Sequence, residues 1–505
     1  MINSVSSANI TNIQQQKPKR TQTSIFYVND IHGRTSNMEK ITTASQNFDT
    51  FVPSGIDKLK LCSGDTMLGQ NPAVNKAAHK FLNVNKFMAS VIGNHECDQA
   101  PDSLLNIMKD ATYKILGKNV NPPKGSKFEG KITSSYVQEV NGNQYGVIAL
   151  MPYDLFLRIK KREEYKDLGL QPYEQAVKDV QQEINDMKEK GIDKIIVLSH
   201  TGYEQEQKLA QDVEGIDIIL GGHSHDLIYD LEEGKNLFYS KKTGEPTIIT
   251  QAGRDGDHFG VLNVEFDENG VITKAQNNVA DSKNFQRSMA LQAIYDDIMG
   301  KATVIGKIAS AEPMPKAILK EENPHADFVA DIMRKSNDTD IAMINAANLR
   351  GCFEEGRITD RDVSSAVPFK SKLMKATVSE KDVVDAIKYS CTSMNKTDGK
   401  PGLMQVSGLK YTVNKQGQLL DLKYTGKDGK DVAIDINNPR ADKTYTITMD
   451  DFIGGGGDGY SMLNKAKNPD TKMFGYDKDK LAIDYIKAQT EPIHIKKDGR
   501  INIVD

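Results

Sequence analysis

The chain has 505 residues, more than one ordinary core accommodates at roughly 100 to 200 residues per domain, so two or three domains are expected. Charged residues make up 27% of it and the formal net charge is only -4, which excludes the broad basic field of a protein that binds nucleic acid polymers. No apolar run approaches the roughly 18 to 20 residues that span a bilayer, so no membrane partner is expected and the chain reads as soluble.

The first 23 residues, MINSVSSANITNIQQQKPKRTQT, are polar and carry Lys17, Lys19 and Arg20 without an apolar segment, which reads as a disordered tail and not as a secretory signal. Residues 24–281 then show short β-rich apolar runs separated by helical stretches, the rhythm of a mixed α/β domain. The runs SIFYV, KLKLCS, ASVI, KIIVLS and IDIIL are each followed by residues able to hold a metal. One helix between them is plain: Pro172 at its start, Ala176, Val177, Val180, Ile184 and Met187 on one face, and Gly191 as its stop. Residues 282–301 lack strand character and are expected to form a helix linking to a second domain, 302–505. There NPHADFVADIMRKS and SEKDVVDAIKYSC predict helices, DIAMIN a strand, and LKYTVNKQGQLLDLKY a strand pair turning at Lys415-Gln416-Gly417. Cys62, Cys97, Cys352 and Cys391 form no CxxC pair and read as small buried apolar residues.

Chemistry gathers at the strand ends: Asp30 and His32 in NDIHGR, Asp65 in SGDTMLG, Asn94 and His95 in GNHECD, His200 in LSHTGYE, and His223 and His225 in GGHSHD. The chain has nine histidines, and five of them stand in these blocks. Open α/β sheets bind ligands beyond the carboxyl ends of their strands, so five such ends can converge on one crevice. Carboxylate oxygen together with neutral imidazole suits divalent transition metals at a hydrolytic site. A carboxylate can bridge two ions, one on each oxygen, and Asp65, alone in its block, is the natural bridge. Taken singly each block has a plain structural reading, a hydrogen-bonded histidine or a turn glycine; the order of all five is the signal.

That order, D-x-H, GD, GNHE, H, GHxH, resembles the calcineurin-like metallophosphoesterases. With GNHECD and a long second half the chain is similar to the 5'-nucleotidase branch, to which the UDP-sugar hydrolases and 2',3'-cyclic-nucleotide phosphodiesterases are related. The resemblance implies a four-layer αββα metallophosphoesterase domain followed by a smaller α/β substrate-binding domain. It implies two divalent cations, zinc, manganese or similar, one on Asp30, His32, Asp65 and His225 and the other on Asp65, Asn94, His200 and His223. His95 becomes the catalytic histidine and Asp98 the residue that orients it, although an Asp there also suits a helix cap before Pro101.

In the second half the resemblance rests on INAANLRG, AVPFKSKL and DFIGGGGDGY. It implies that Phe369 and Phe452 face one another and stack a nucleobase, that Asn345 and Arg350 contact base, ribose or phosphate, and that Asp458 contacts the ribose. Four glycines in a row could suggest a phosphate loop, but no Lys follows them, so the stretch is expected to be a close-approach loop whose glycines make room for the nucleoside. The chain departs from the family at Ala347-Asn348, where the loop is usually N-x-G-G-x-R, at Lys370-Ser371, where PFGN is usual, and at Lys320, near the place of a substrate-binding arginine. The expected activity is two-metal hydrolysis of nucleotide phosphomonoesters to nucleoside and phosphate, with cyclic nucleotides and nucleotide sugars as further substrates. The alternatives are a phosphoesterase for a different small phosphoester and a nucleotide-binding or adhesion module without turnover.

Overall fold

The computed structural model describes residues 20–505 apart from Gln70, Lys160, Lys316 and Asp398; residues 1–19, most of the expected tail, lie outside the described residues. The chain forms two compact units, one of residues up to Ile31, Lys40–Thr66 and His79–Gln286, the other of His32–Glu39, Met67–Ala78 and Arg287–Asp505. Two short segments from the first half of the sequence therefore group with the second, which differs from the simple division into 24–281 and 302–505.

The first unit holds twelve named strands: β1 (Thr21–Val28), β2 (Asp57–Cys62), β3 (Ala89–Val91), β4 (Lys114–Leu116), β5 (Ser135–Val140), β6 (Asn143–Leu150), β7 (Lys194–Ser199), β8 (Ile218–Leu220), β9 (Leu237–Tyr239), β10 (Pro246–Thr250), β11 (His258–Phe266) and β12 (Ile272–Asp281). They make two six-stranded sheets ordered β12-β11-β1-β2-β3-β4 and β5-β6-β7-β8-β10-β9. The two sheets meet face to face through Thr23 against the Tyr145 hydroxyl at 2.7 Å and the Tyr27 hydroxyl against Thr250 at 2.6 Å. Helix Tyr173–Glu189 covers the second sheet, its buried Ala176, Val180, Ile184 and Met187 packed with Ile148, Leu150, Ile195 and Val197. Phe48 of helix Thr35–Phe51 packs on Phe26 of β1, with ring centroids 5.5 Å apart. The result is the expected αββα layering.

β1 begins at Thr21, three residues before the expected start, because its antiparallel partner β11 extends as far as Phe266 and pairs with Thr21 there. The expected continuous helix over 282–301 is instead a 3-10 turn, Ser282–Asn284, and a shorter helix, Met289–Met299. The Ser288 side chain accepts from the Leu291 amide at the helix start, and Gly300 at φ +83° stops it.

The second unit is built on a five-stranded sheet whose strands lie in the order Gln405–Ser407, Ile341–Ile344, Thr444–Asp450, Lys372–Ser379, Lys472–Asp477. Ile341 and Met343 enter one hydrophobic core while Ala342 and Ile344 enter another, as the period-two alternation of a strand buried on both faces requires. Helix Pro324–Ser336, capped by Asn323, fills one core, and helix Glu380–Cys391, opened by a Ser379–Asp382 capping box, fills the other. The strands Leu409–Asn414 and Leu419–Thr425 pair antiparallel around the expected turn. None of the four cysteines is in a disulfide; three are buried and Cys352 is partly exposed. Among the described residues no helix is long and apolar enough to cross a membrane.

Candidate active site

β1, β2 and β3 run parallel in the first sheet, and β7 and β8 run parallel in the second. Their carboxyl ends deliver Asp30, Asp65, Asn94, His95, His200, His223 and His225. Asp30, His32 and His225 bring ligand atoms within 4.8 Å of one another, as do Asp65, His200 and His223, and His32, Asp65 and His95. The Oδ1 of Asn94 lies 2.8 Å from Nδ1 of His223.

The backbone is bent to make this possible. Asp30, His32, Asp65, His223 and His225 have φ of 50°, 53°, 50°, 78° and 66°, the left-handed region that residues with a Cβ seldom occupy and that concentrates at functional sites. A network holds these turns. Asn29 donates from Nδ2 to Oδ2 of Asp30 and to the Gly253 carbonyl, both at 2.8 Å, and accepts from the Ala252 amide. The carboxylate of Glu96 accepts from the amides of Asp65 at 3.0 Å, Thr66 at 2.8 Å and Gly93 at 2.8 Å, tying the β2 and β3 exits together. Asp65 in turn accepts the His95 amide at 2.8 Å. Gly93 has no room for a Cβ, which would strike the Asp65 carboxylate.

Electrostatics favours cations here. Asp30, Asp65 and His200 are buried. Burial alone would lower the His200 pKa, yet the carboxylates of Asp65 and Asp30 outweigh it and push the imidazole up to about 10. Burial likewise opposes ionisation of Asp30, but His200 and His225 hold its carboxyl down at about 2. Nδ1 of His200 donates to the Ser63 carbonyl at 2.6 Å, so Nε2, 3.1 Å from Asp65 Oδ2, is the nitrogen whose proton a divalent cation would displace. A buried imidazole nitrogen beside a carboxylate oxygen is a donor set for a divalent cation, and the residues fit the group.

His95 sits beside this cluster with its Nδ1 2.7 Å from Asp98 Oδ2. Asp98 closes the 3-10 turn His95–Asp98, and its carboxylate is turned back onto the histidine. Two further residues carry the site without having been singled out in the sequence. Glu96 was visible in GNHECD but had no assigned partner, since two of the amides that donate to it lie 30 and 31 positions away. Asp154 lies 3.1 Å from Nε2 of His223 and stands in PYD, a loop tripeptide with no signal of its own.

In the second unit, Asn345 donates from Nδ2 to Asp458 Oδ2, and Asp458 has φ of 50°. The guanidinium of Arg350 lies 5.5 Å from the centroid of the Phe369 ring, and its amide donates to the Ala366 carbonyl. Phe452 is 38% exposed, more than a core residue of its size. The DFIG stretch forms one helical turn, Asp451–Gly454, capped by Asp450, and Asp450 also takes an ion pair from the buried Lys478 at 2.7 Å. Three of the glycines answer to close packing: a Cβ on Gly454 would meet the Met374 sulfur, on Gly457 the Phe452 ring, and on Gly459 the Tyr389 hydroxyl. They make room for the protein's own side chains. Lys320, offered as a replacement for an arginine, donates instead to the carbonyls of Met394 and Lys396. Lys370 is ion-paired to Asp479, which also accepts from Ser364.

The calcineurin-like phosphoesterase profile matches residues 23–227, and the 5'-nucleotidase C-terminal domain profile matches residues 299–465. The trifunctional nucleotide phosphoesterase protein YfkN of Bacillus subtilis is 28% identical over 476 residues, which cover 84% of this chain and 31% of that protein. A probable 5'-nucleotidase of Treponema pallidum is 26% identical over 484 residues, 81% of this chain and 79% of that one. The crystal structure of a 5'-nucleotidase precursor from Thermus thermophilus superposes with a TM-score of 0.70 at 22% identity, covering 96% and 99% of the two chains, and shows the same fold.

Proposed function

Since the chain belongs to the 5'-nucleotidase family of calcineurin-like phosphoesterases, a family of hydrolases that use two metal ions, we propose that it hydrolyses nucleotide phosphomonoesters to nucleoside and phosphate. The observation that carries this reading is the convergence of Asp30, Asp65, His200, His223 and His225 at the strand ends, all but His200 on left-handed backbone. Asp30, His32, Asp65 and His225 would hold one divalent cation, and Asp65, Asn94, His200 and His223 the other. Bound there, the pair would neutralise the phosphate and acidify the attacking water.

The chain's own groups supply the rest. His95, its ring held by Asp98, places a proton donor at the transferring phosphoryl oxygens or the leaving alkoxide. In the second unit Phe369 and Phe452 offer ring faces for a base, worth about 1 to 3 kcal/mol per stacked base, and Asn345, Arg350 and Asp458 offer polar groups for base, ribose or phosphate. Phe452→Ala should weaken nucleotide affinity and leave kcat nearly intact; an unchanged KM for AMP counts against the stacking role.

A second reading, a different small phosphoester, is favoured by Lys320 and Lys370, both committed to partners within the protein. Chelator-stripped protein restored with Mn²⁺, Zn²⁺ or Mg²⁺ separates the readings by phosphate release from AMP, UMP, UDP-glucose, 2',3'-cyclic AMP and a panel of non-nucleotide esters. Release from the last group alone favours the second reading, and release from none a binding module without turnover.

A further inference from the structure

We propose that Asp154 is a positioning residue for the second cation site, accepting a hydrogen bond from Nε2–H of His223 and so leaving Nδ1, beside Asn94, as the ligating atom. The inference rests on the two-cation reading above. Asp154 immediately precedes the four-residue helical turn Leu155–Arg158, a place where Asp ordinarily accepts a backbone amide as a cap. It makes no such bond. Oδ1 instead lies 3.1 Å from His223 Nε2, and Oδ2 accepts from Nε of Arg158 at 2.6 Å, which fixes the carboxylate toward the histidine.

A neutral imidazole has one N–H, and His223 faces an acceptor on each side: the Asp154 carboxylate at Nε2, and the Asn94 Oδ1 at 2.8 Å from Nδ1. The charged acceptor wins the proton over the neutral amide oxygen, because hydrogen bonds to ionised groups are about twice as strong. Nδ1 is then a lone pair lying next to a second lone-pair donor, an arrangement that a cation between them stabilises. Without Asp154 the proton returns to Nδ1, bonds to Asn94 and masks both ligand atoms at once. Such outer carboxylates typically contribute 10- to 100-fold to metal affinity.

Mn²⁺ titrated into the chelator-stripped full chain, with free ion counted by electron paramagnetic resonance, tests this. The unaltered chain should bind two ions. Asp154→Ala should keep one site at unaltered affinity and weaken the other by about 10- to 100-fold. Asp154→Asn, which keeps the size and offers only an amide oxygen, should lose less, and it serves as the test if the Ala variant does not fold. Unchanged affinity at both sites overturns the proposal, as does equal weakening of both, the mark of a general structural role. If the unaltered chain fails to bind two ions, the two-cation reading itself falls, and this inference with it.

Discussion

Asp65 combines three demands in one side chain: it faces the imidazole of His200, accepts the His95 amide, and holds a left-handed backbone whose own amide is fixed by Glu96. Asp65→Asn tests these demands separately, because Asn tolerates the same backbone while its amide has only one oxygen to offer. The variant should fold normally and lose turnover; near-normal phosphate release with intact metal content removes Asp65 from the bridging role. A second residue makes a pH prediction. Asp327 is buried, and burial, with Glu322 and Asp498 adding to it against Arg500, pushes its carboxyl up to about 9. The folded chain therefore keeps a proton that the unfolded chain releases near pH 4. Its stabilising contribution is complete below that value and is lost as the pH rises toward 9. Asp327→Asn should flatten this dependence and raise the unfolding midpoint at pH 8 by a few degrees, about what 1 kcal/mol gives in a domain of this size. A midpoint gap between variant and parent that stays constant from pH 5 to pH 8 speaks against it.

At the scale of elements, the site depends on how closely the ends of β2 and β3 approach. Gly93→Ala would drive a methyl group into the Asp65 carboxylate, at a cost of about 1 to 3 kcal/mol for overpacking, and should reduce metal content with activity. A variant that retains both would show that the loop yields without moving Asp65. These ends were legible in the sequence because a glycine, a carboxylate and a histidine after an apolar run are local signals, as in KLKLCSGD and GGHSHD. Helix Tyr173–Glu189 was legible for the same reason, through the spacing of Ala176, Val180, Ile184 and Met187. What sequence order hid is long-range. Asp154 meets His223 across 69 positions, Gly454 meets Met374 across 80, and Tyr389 meets Gly459 across 70. No periodicity encodes such pairs, so nothing local in DFIGGGGDGY showed that Gly454, Gly457 and Gly459 stand against Met374, Phe452 and Tyr389.

For the whole molecule, a ligand that binds only the folded chain stabilises it in proportion to the logarithm of its concentration. Cation at about 100 times its Kd should add about 2.7 kcal/mol and raise the unfolding midpoint by roughly 5 to 10 °C, with chelator reversing the shift. An unmoved midpoint in Mn²⁺, Zn²⁺ and Mg²⁺ alike would mean that the clustered Asp and His side chains hold none of them. Division into two units also explains why the organisation was only partly readable: residues 32–39 and 67–78 precede much of the first unit in sequence yet group with the second, so no single cut in the chain separates the two.

The left-handed turns at Asp30, His32, Asp65, His223 and His225 bear on how fast the site could fill. Each such conformation costs on the order of 1 to 3 kcal/mol, and the network around Asn29, Ser63 and Glu96 absorbs that cost as the chain folds. No backbone rearrangement is then left for the arriving ion to drive. Cation uptake should follow simple second-order kinetics, its observed rate rising in proportion to ion concentration with no plateau from a slow closing step.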